Sequence, residues 1–150
     1  MAGMQGLGRV FDVIGVASGT TFSMKNASAV TFITEASGAE SIAFTASKTY
    51  SGSTQNWTTA NGYGQTAYYY QNTSTTGTAA WTKQTATWTT NSVALAGTNA
   101  YMSVFTVYTS QFADGYCYIT PTATNSTYLI AVLHDLTVQR TPANLALLGA

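Results

Sequence analysis

The chain has 150 residues with only five basic and five acidic side chains, so 7% of it is charged and its net charge is zero. Soluble domains usually have about a quarter of their residues charged, whereas 28 threonines and 13 serines are the main polar residues here. This composition predicts β structure and a place in an assembly or outside a cell, because few charges remain to discourage protein contacts. The basic residues are scattered, which argues against nucleic-acid binding because that function needs clustered cations.

Residues 1–19 contain five glycines and few polar side chains, and they are interpreted as an extended arm. Its apolar residues could form an edge strand of the same domain or could lie on a partner subunit by strand addition. The start lacks a positively charged region and Asp12 interrupts its apolar stretch, so we expect no secretory signal. No run approaches 18 apolar residues, so no membrane span is expected.

From residue 20 to residue 140, polar and apolar side chains alternate with a period of two. The clearest case places Ile42, Phe44 and Ala46 on one face, which predicts a half-buried antiparallel strand. Val30 and Phe32 begin a similar strand before it, and residues 35–38 form the predicted turn between the two strands.

The middle of the chain combines turn residues with aromatic residues. Asn61-Gly62 is a strong turn dipeptide, and residues 68–70, three tyrosines, predict a short strand. Residues 72–78 are typical of a solvated loop. Residues 80–90 alternate without a strongly apolar face, which predicts an edge strand or an interface strand.

Three further strands are predicted near the C-terminus. Residues 101–108 form one, and residues 116–120 form the next, which Pro121 is expected to end. Residues 127–139 form the longest strand, with apolar residues on both faces, as expected of a central strand or one covered by a neighbour.

The predicted fold is therefore all-β, an antiparallel β-sandwich or jelly roll of about eight to ten short strands with an extended N-terminal arm. Residues 1–19 form the arm, residues 20–140 the β-sandwich domain and residues 141–150 a short apolar tail.

Few residues could carry chemistry. His134 and Asp135 are adjacent on a strand, so they point to opposite faces and cannot act on one substrate together. His134 is expected to be a hydrogen-bonded core or interface residue, and Cys117 a small buried hydrophobe. The acidic residues lie at turns or strand ends, where carboxylates commonly accept backbone hydrogen bonds. We therefore expect no enzyme activity, no catalytic residue, no cofactor and no metal ion, since one histidine and one cysteine cannot form a His/Cys metal cluster.

The three tryptophans and ten tyrosines allow two interpretations. Exposed aromatic rings on a β-sandwich could stack on sugar rings. The favoured alternative is that they fill the core and subunit contacts, since aromatic residues are enriched at protein interfaces. The candidate glycan-stacking residues are Trp57, Trp81, Trp88 and Tyr69, the last of these together with its neighbours in the tyrosine cluster of residues 68–70.

Two segments near the C-terminus resemble a known group of proteins. Residues 112–119 (FADGYCYI) and 129–145 (LIAVLHDLTVQRTPANL) are similar to small structural proteins of tailed phages that infect actinobacteria, which look like head decoration (cement) or minor capsid proteins. The resemblance implies a β domain on the capsid surface of the virion. It further implies a homotrimer that stabilises contacts between subunits of the major capsid protein.

The arm and the tail are expected to make the contacts with the capsid and between subunits. The candidate interface residues are Arg9, Val10, Phe11, Val13, Ile14, Val16, Arg140, Leu145 and Leu147. The alternative functions are a glycan-binding β-sandwich module of a phage tail fibre or tail tip, and a component of the tail tube.

Overall fold

Two antiparallel β-sheets of six strands each pack face to face in a computed structural model, which describes residues 12–74, 76, 78–95 and 101–136. The all-β sandwich predicted from the sequence is confirmed. Two short 3₁₀ turns, Thr59–Asn61 and Thr109–Gln111, are the helical segments of the described residues.

The first sheet contains six strands. They are β1 (Asp12–Gly15), β3 (Ala29–Ala36), β6 (Tyr68–Asn72), β7 (Trp81–Thr85), β10 (Tyr101–Tyr108) and β12 (Ser126–His134). Their order across the sheet is β1-β12-β3-β10-β6-β7. Strands β3 and β10 therefore lie in the middle, with β1 and β7 at the edges.

The second sheet is built around β4. Its strands are β2 (Phe22–Ser23), β4 (Glu40–Ser47), β5 (Gln55–Asn56), β8 (Thr87–Thr89), β9 (Ser92–Leu95) and β11 (Tyr118–Ala123). Their order is β2-β11-β4-β9-β8, and β5 also pairs with β4.

The core between the sheets is centred on the aromatic ring of Phe44. The centroid of this ring lies 5.3 Å from that of Phe32 and 5.6 Å from that of Phe105, both on the first sheet. Trp88 and Trp57 approach the same ring at 6.0 and 6.3 Å. As the alternation in the sequence predicted, Phe44 is fully buried together with its neighbours on the same face of β4.

The chain crosses between the sheets at Ala86. Residues 81–85 form an edge strand of the first sheet, and residues 87–89 form an edge strand of the second. The N–H group of Ala86 donates to the carbonyl oxygen of Ala67 at 2.9 Å, which fixes the crossing point. The predicted edge strand is thus confirmed, but it is divided between two sheets.

Pro121 does not end its strand, contrary to the sequence prediction. It lies inside β11, directly opposite Phe44 of β4. The N–H group of Phe44 donates to Asn91, and its carbonyl oxygen accepts from Trp57, so both groups point away from β11. A proline costs no ladder hydrogen bond at such a position, and its own carbonyl oxygen accepts from Gly19 at 2.8 Å.

The N-terminal segment belongs to the sandwich from Asp12 onward. Strand β1 pairs with β12, with Val13 opposite Val132 and Ile14 opposite Ala131. The N–H group of Val16 continues this pairing by donating to Leu129. Of the two interpretations of the arm, an edge strand of its own domain is therefore correct for residues 12–16. Residues 1–11 of the predicted arm lie outside the described part.

The longest strand is shorter than predicted. β12 ends at His134, and Asp135 adopts a left-handed backbone conformation with φ of 49°. That conformation breaks the extended ladder. The hydroxyl of Ser28 donates to Asp135 Oδ2 at 3.1 Å, which stabilises the bend. The rest of the predicted strand, from residue 137, and the predicted tail lie outside the described residues.

We expect Phe44→Ala to lower the free energy of unfolding by about 3–5 kcal/mol, because it leaves a cavity among four aromatic rings. Phe44→Leu retains most of the volume and should cost about 1–2 kcal/mol. Urea denaturation followed by tryptophan fluorescence measures both values. Thr122→Ala, on an exposed position of β11, is the matched control and should change stability by about 0.5 kcal/mol or less. Equal stability of Phe44→Ala and the control would contradict this account of the core.

Candidate functional site

The outer face of the second sheet carries small and hydroxyl-bearing side chains. Paired residues on neighbouring strands share a face, so the register defines this surface. Its residues are Ser41, Ala43, Thr45, Thr87, Thr89, Ser92, Ala94, Thr120 and Thr122. Such a surface is compatible with water. Its large side chains are at one end, where Tyr118, on the same face of β11 as Thr120 and Thr122, packs against Tyr50.

The outer face of the first sheet is different, because it carries large apolar side chains. One row crosses all six strands and places one residue on each, in the order Gly15, Ile130, Ile33, Val104, Tyr70 and Lys83. Apart from the terminal glycine and lysine, every residue in this row is apolar or aromatic.

This face divides into two parts. The aliphatic half lies on β1, β12, β3 and β10, and consists of Val13, Ile33, Val104, Ile130 and Val132. Val13 is 53% exposed and Ile130 is 36% exposed. The tyrosine half lies on β6 and the end of β10, where Tyr68, Tyr70 and Tyr108 are 41%, 43% and 48% exposed. A soluble monomer rarely leaves such a continuous apolar surface without a function.

The polar side chains that lie among the residues of the aliphatic half form hydrogen bonds with one another. His134 Nε2 lies 2.7 Å from Thr31 Oγ1, which in turn lies 2.9 Å from Thr106 Oγ1. This chain of hydrogen bonds links β12, β3 and β10. The expectation of a hydrogen-bonded histidine is confirmed, and the arrangement lowers the cost of covering these groups with a partner.

A cleft of about 250 Å³ opens beside the tyrosine half. The rings of Tyr68 and Tyr70 stand nearly perpendicular, at 85°, with their centroids 5.9 Å apart. The ammonium group of Lys83 lies 3.8 Å from the centroid of the Tyr68 ring. The cleft is lined by Gln65, Thr66, Ala67, Tyr68, Tyr70, Thr106, Tyr108 and Gln111.

A separate aromatic cluster closes one end of the sandwich. Its central ring is Trp57, whose centroid lies 4.6 Å from that of Tyr63 and 4.7 Å from that of Phe112. Tyr116 packs edge-on against Tyr63 at 5.6 Å. Gly115 adopts a φ of 75°, which favours glycine and lets the chain turn between Phe112 and Tyr116. The FADGYCYI segment therefore supplies two rings of this cluster.

Two buried tyrosines hold their protons more tightly than free tyrosine does. Burial, and to a lesser extent the nearby Tyr116, raises the pKa of Tyr63 well above its ordinary value. Burial also raises the pKa of Tyr101, where Glu40 and Tyr69 add to the effect. The hydrogen bond from the N–H group of Glu40 to Tyr101 Oη acts in the opposite direction.

We expect the stability of the protein to fall as the pH rises above about 10, where tyrosine ionises in the unfolded chain. The folded state keeps Tyr63 and Tyr101 protonated there, so the unfolded state binds fewer protons and is favoured as pH increases. Urea denaturation between about pH 9 and pH 11 measures the slope, and tyrosinate absorbance reports ionisation. Tyr63→Phe should show a shallower decline, and an unchanged decline would contradict this assignment.

The structure separates the predicted interface residues into three groups. Val13 lies exposed on the aliphatic half. Ile14 and Val16 are buried in the chain's own core, so the prediction that they contact a partner was wrong. They alternate with Val13 along β1, and the pleat directs them inward. Arg9, Val10, Phe11, Arg140, Leu145 and Leu147 lie outside the described residues.

The predicted glycan-stacking residues do not form one flat surface. Trp57 and Tyr69 are fully buried, so neither can stack on a ligand. Trp88 is half-buried and donates its ring N–H to the carbonyl oxygen of Thr66 at 2.8 Å. Trp81 is exposed on the edge strand β7. Sequence reasoning chose Tyr69, whereas the alternation of a strand turns its two tyrosine neighbours outward instead.

The residues considered for catalysis have structural contacts. Cys117 is only half-buried, so the expectation of a buried cysteine was wrong, and its thiol lies 3.7 Å from the carbonyl oxygen of Lys48. Within the described residues, no three His, Cys, Asp or Glu side chains gather where they could hold a metal ion. No helix in that part of the chain is long and apolar enough to cross a membrane.

Comparison with models of protein families, with curated proteins and with solved structures gave no match.

Proposed function

We propose that this chain is a non-enzymatic structural protein of a phage virion, which binds the capsid surface and stabilises contacts between subunits of the major capsid protein. The observation that supports this function best is the aliphatic half of the first sheet. Five aliphatic side chains, Val13, Ile33, Val104, Ile130 and Val132, share this surface across four strands. A continuous apolar surface of this kind is typical of a protein–protein contact.

The physical properties of this surface favour a stable contact. Burying apolar surface contributes about 25 cal/mol per Å² to the free energy of binding. Among the outward-facing side chains that the structure describes on these four strands, Glu35 is the one that carries a charge. Little charge must therefore be removed from water when a partner covers it. The residues belong to a hydrogen-bonded sheet, so binding costs little backbone entropy.

The resemblance to phage decoration proteins overlaps with this surface. Ile130 and Val132 belong to the segment 129–145, whose N-terminal part forms β12. Neighbouring residues Leu129, Ala131 and Leu133 point into the core. The same segment thus holds the sandwich together on one side and offers aliphatic side chains on the other, which is consistent with a protein that must remain folded while bound to a shell.

The proposal includes the oligomeric state that the resemblance implies, a homotrimer on the capsid surface. Cryo-electron microscopy of purified virions of the phage that encodes the chain tests both parts. We expect density for a two-sheet domain at a three-fold or local three-fold axis, with the first sheet facing the shell. Absence of the chain from purified virions would overturn the proposed function, and density at the tail would assign it to the tail instead.

We expect Ile130→Lys to abolish co-sedimentation of the purified protein with capsids that lack it, because a charge at the centre of the aliphatic half must be buried without a partner. The matched control is Thr122→Lys, which adds the same charge to the outer face of the second sheet. It should bind as the natural chain does. Circular dichroism and urea denaturation check that both variants are folded. Equal binding by both variants would show that the aliphatic half is not the contact surface.

A further inference from the structure

The cleft beside β6 has the features of a ligand site that is separate from the proposed capsid contact. In the row across the first sheet, Tyr70 stands three strands away from Ile130. At a strand spacing of about 4.7–4.9 Å, this separation is about 14 Å. A partner centred on Ile130 reaches Val104, which lies directly opposite Tyr70, but it need not cover the tyrosine rings.

The walls of the cleft are held in place by hydrogen bonds. Thr66 Oγ1 donates to the carbonyl oxygen of Thr106 at 2.7 Å, which ties the segment before β6 to β10. Gln111 Oε1 accepts from the N–H group of Tyr108 at 2.7 Å. The ring N–H of Trp88 donates a hydrogen bond to the carbonyl oxygen of Thr66. The cleft is therefore formed before any ligand binds, which reduces the entropy lost on binding.

A glycine permits the close approach of the two walls. The N–H group of Gly64 donates to the carbonyl oxygen of Gln111 at 2.8 Å. A Cβ atom at position 64 would lie 3.1 Å from Gln111 Cγ and 3.3 Å from Gln111 Cα. These distances are tighter than an ordinary van der Waals contact, so a side chain at position 64 would require Gln111 to shift by a few tenths of an ångström.

The chemistry of the lining selects the class of ligand. All eight lining residues are neutral, and they combine three exposed tyrosines with threonine and glutamine side chains. A charged ligand would find no counter-charge among them. A purely apolar ligand would cover the tyrosine hydroxyls and the side-chain amide of Gln65 without offering them hydrogen bonds. Tyrosine rings offer flat apolar surfaces, while their hydroxyls and the amides donate and accept hydrogen bonds.

The position of Lys83 further limits how a ligand can bind. Its ammonium group covers the ring of Tyr68 at 3.8 Å, in the range of a cation–π contact. One face of that ring is thereby occupied, so Tyr70 and Tyr108 present the freer aromatic surfaces. The volume, about 250 Å³, lies just below the range of about 300–1,000 Å³ for drug-sized ligands. It suits a small sugar unit better than a long polymer segment.

We propose that the cleft formed by Tyr68, Tyr70 and Tyr108 binds a neutral saccharide. One sugar ring stacks on the ring of Tyr70 or of Tyr108, and its hydroxyl groups bond to the side chain of Gln65. The backbone of the surrounding sheet keeps its conformation when the saccharide binds. The site would allow a particle carrying this protein to attach weakly and in many copies to a glycan-covered surface.

The test is titration of the purified full-length chain with neutral oligosaccharides of glucose, galactose, mannose, arabinose or N-acetylglucosamine, followed by the NMR signals of the tyrosine rings. We expect at least one of these probes to shift the signals of Tyr70 and Tyr108 in a saturable way. Tyr70→Ala should weaken that binding about tenfold, the loss expected for one aromatic contact.

Tyr50→Ala is the matched control, because Tyr50 is 40% exposed but packs against Tyr118 of the second sheet, away from the cleft. It should leave binding unchanged. Gln65→Ala provides a second variant with no aromatic ring removed, and it should also weaken binding. No saturable shift with any probe at millimolar concentration, or equal weakening by Tyr50→Ala and Tyr70→Ala, would overturn the saccharide site. Failure here leaves the capsid proposal intact, since Ile130→Lys tests the other half of the sheet.

Discussion

The structure depends on the burial of Phe44 between the two sheets, at the centre of the core. Its ring contacts Phe32 and Phe105 on the first sheet and Trp57 and Trp88 around the second. Because each neighbour comes from a different strand or loop, one side chain couples elements that are distant in sequence. Aromatic pairs at these separations add to the free energy gained from burial alone. The position of Trp88 in this cluster also fixes where the chain crosses from one sheet to the other.

A protein with so few charges must satisfy its polar groups in other ways. Buried Glu40 accepts four hydrogen bonds: from the N–H groups of Thr124 and Asn125 and from the hydroxyls of Thr124 and Ser126, at 2.6 to 3.2 Å. These residues connect β11 of the second sheet to β12 of the first. A single carboxylate therefore holds the crossover between the sheets. Elsewhere hydroxyls bond to hydroxyls, as Thr21 does with Thr120 at 2.7 Å. The threonine-rich composition is thus compatible with few unsatisfied groups.

The two outer faces of the sandwich have different chemistry, and this difference carries the functional proposals. Threonine, serine and alanine cover most of the outer face of the second sheet, so that side can face water. The first sheet carries aliphatic residues near β12 and tyrosines near β6. The proposed assembly contact is centred on β12 and the proposed saccharide cleft on β6, and the two surfaces meet on β10. A virion protein bound through its aliphatic half would carry the tyrosine cleft at the margin of that contact.

The sequence by itself determined the fold class and the inward-facing residues of the regular strands. The alternation of polar and apolar residues was sufficient to predict which side chains of β4 and β10 point into the core, since side chains on a pleated strand must point to alternate sides. Pro121 shows where this reasoning failed, because its place within β11 depends on the hydrogen-bond directions of Phe44 in a strand far away in sequence. The candidate site also could not be predicted from alternation within single strands. Alternation could show that Tyr68 and Tyr70 share a face, but only the pairing of β6 with β10, and of β10 with β3, brings them beside Tyr108 and into one surface with Ile33. Contacts between distant segments decide which face is covered, and local sequence pattern does not contain that information.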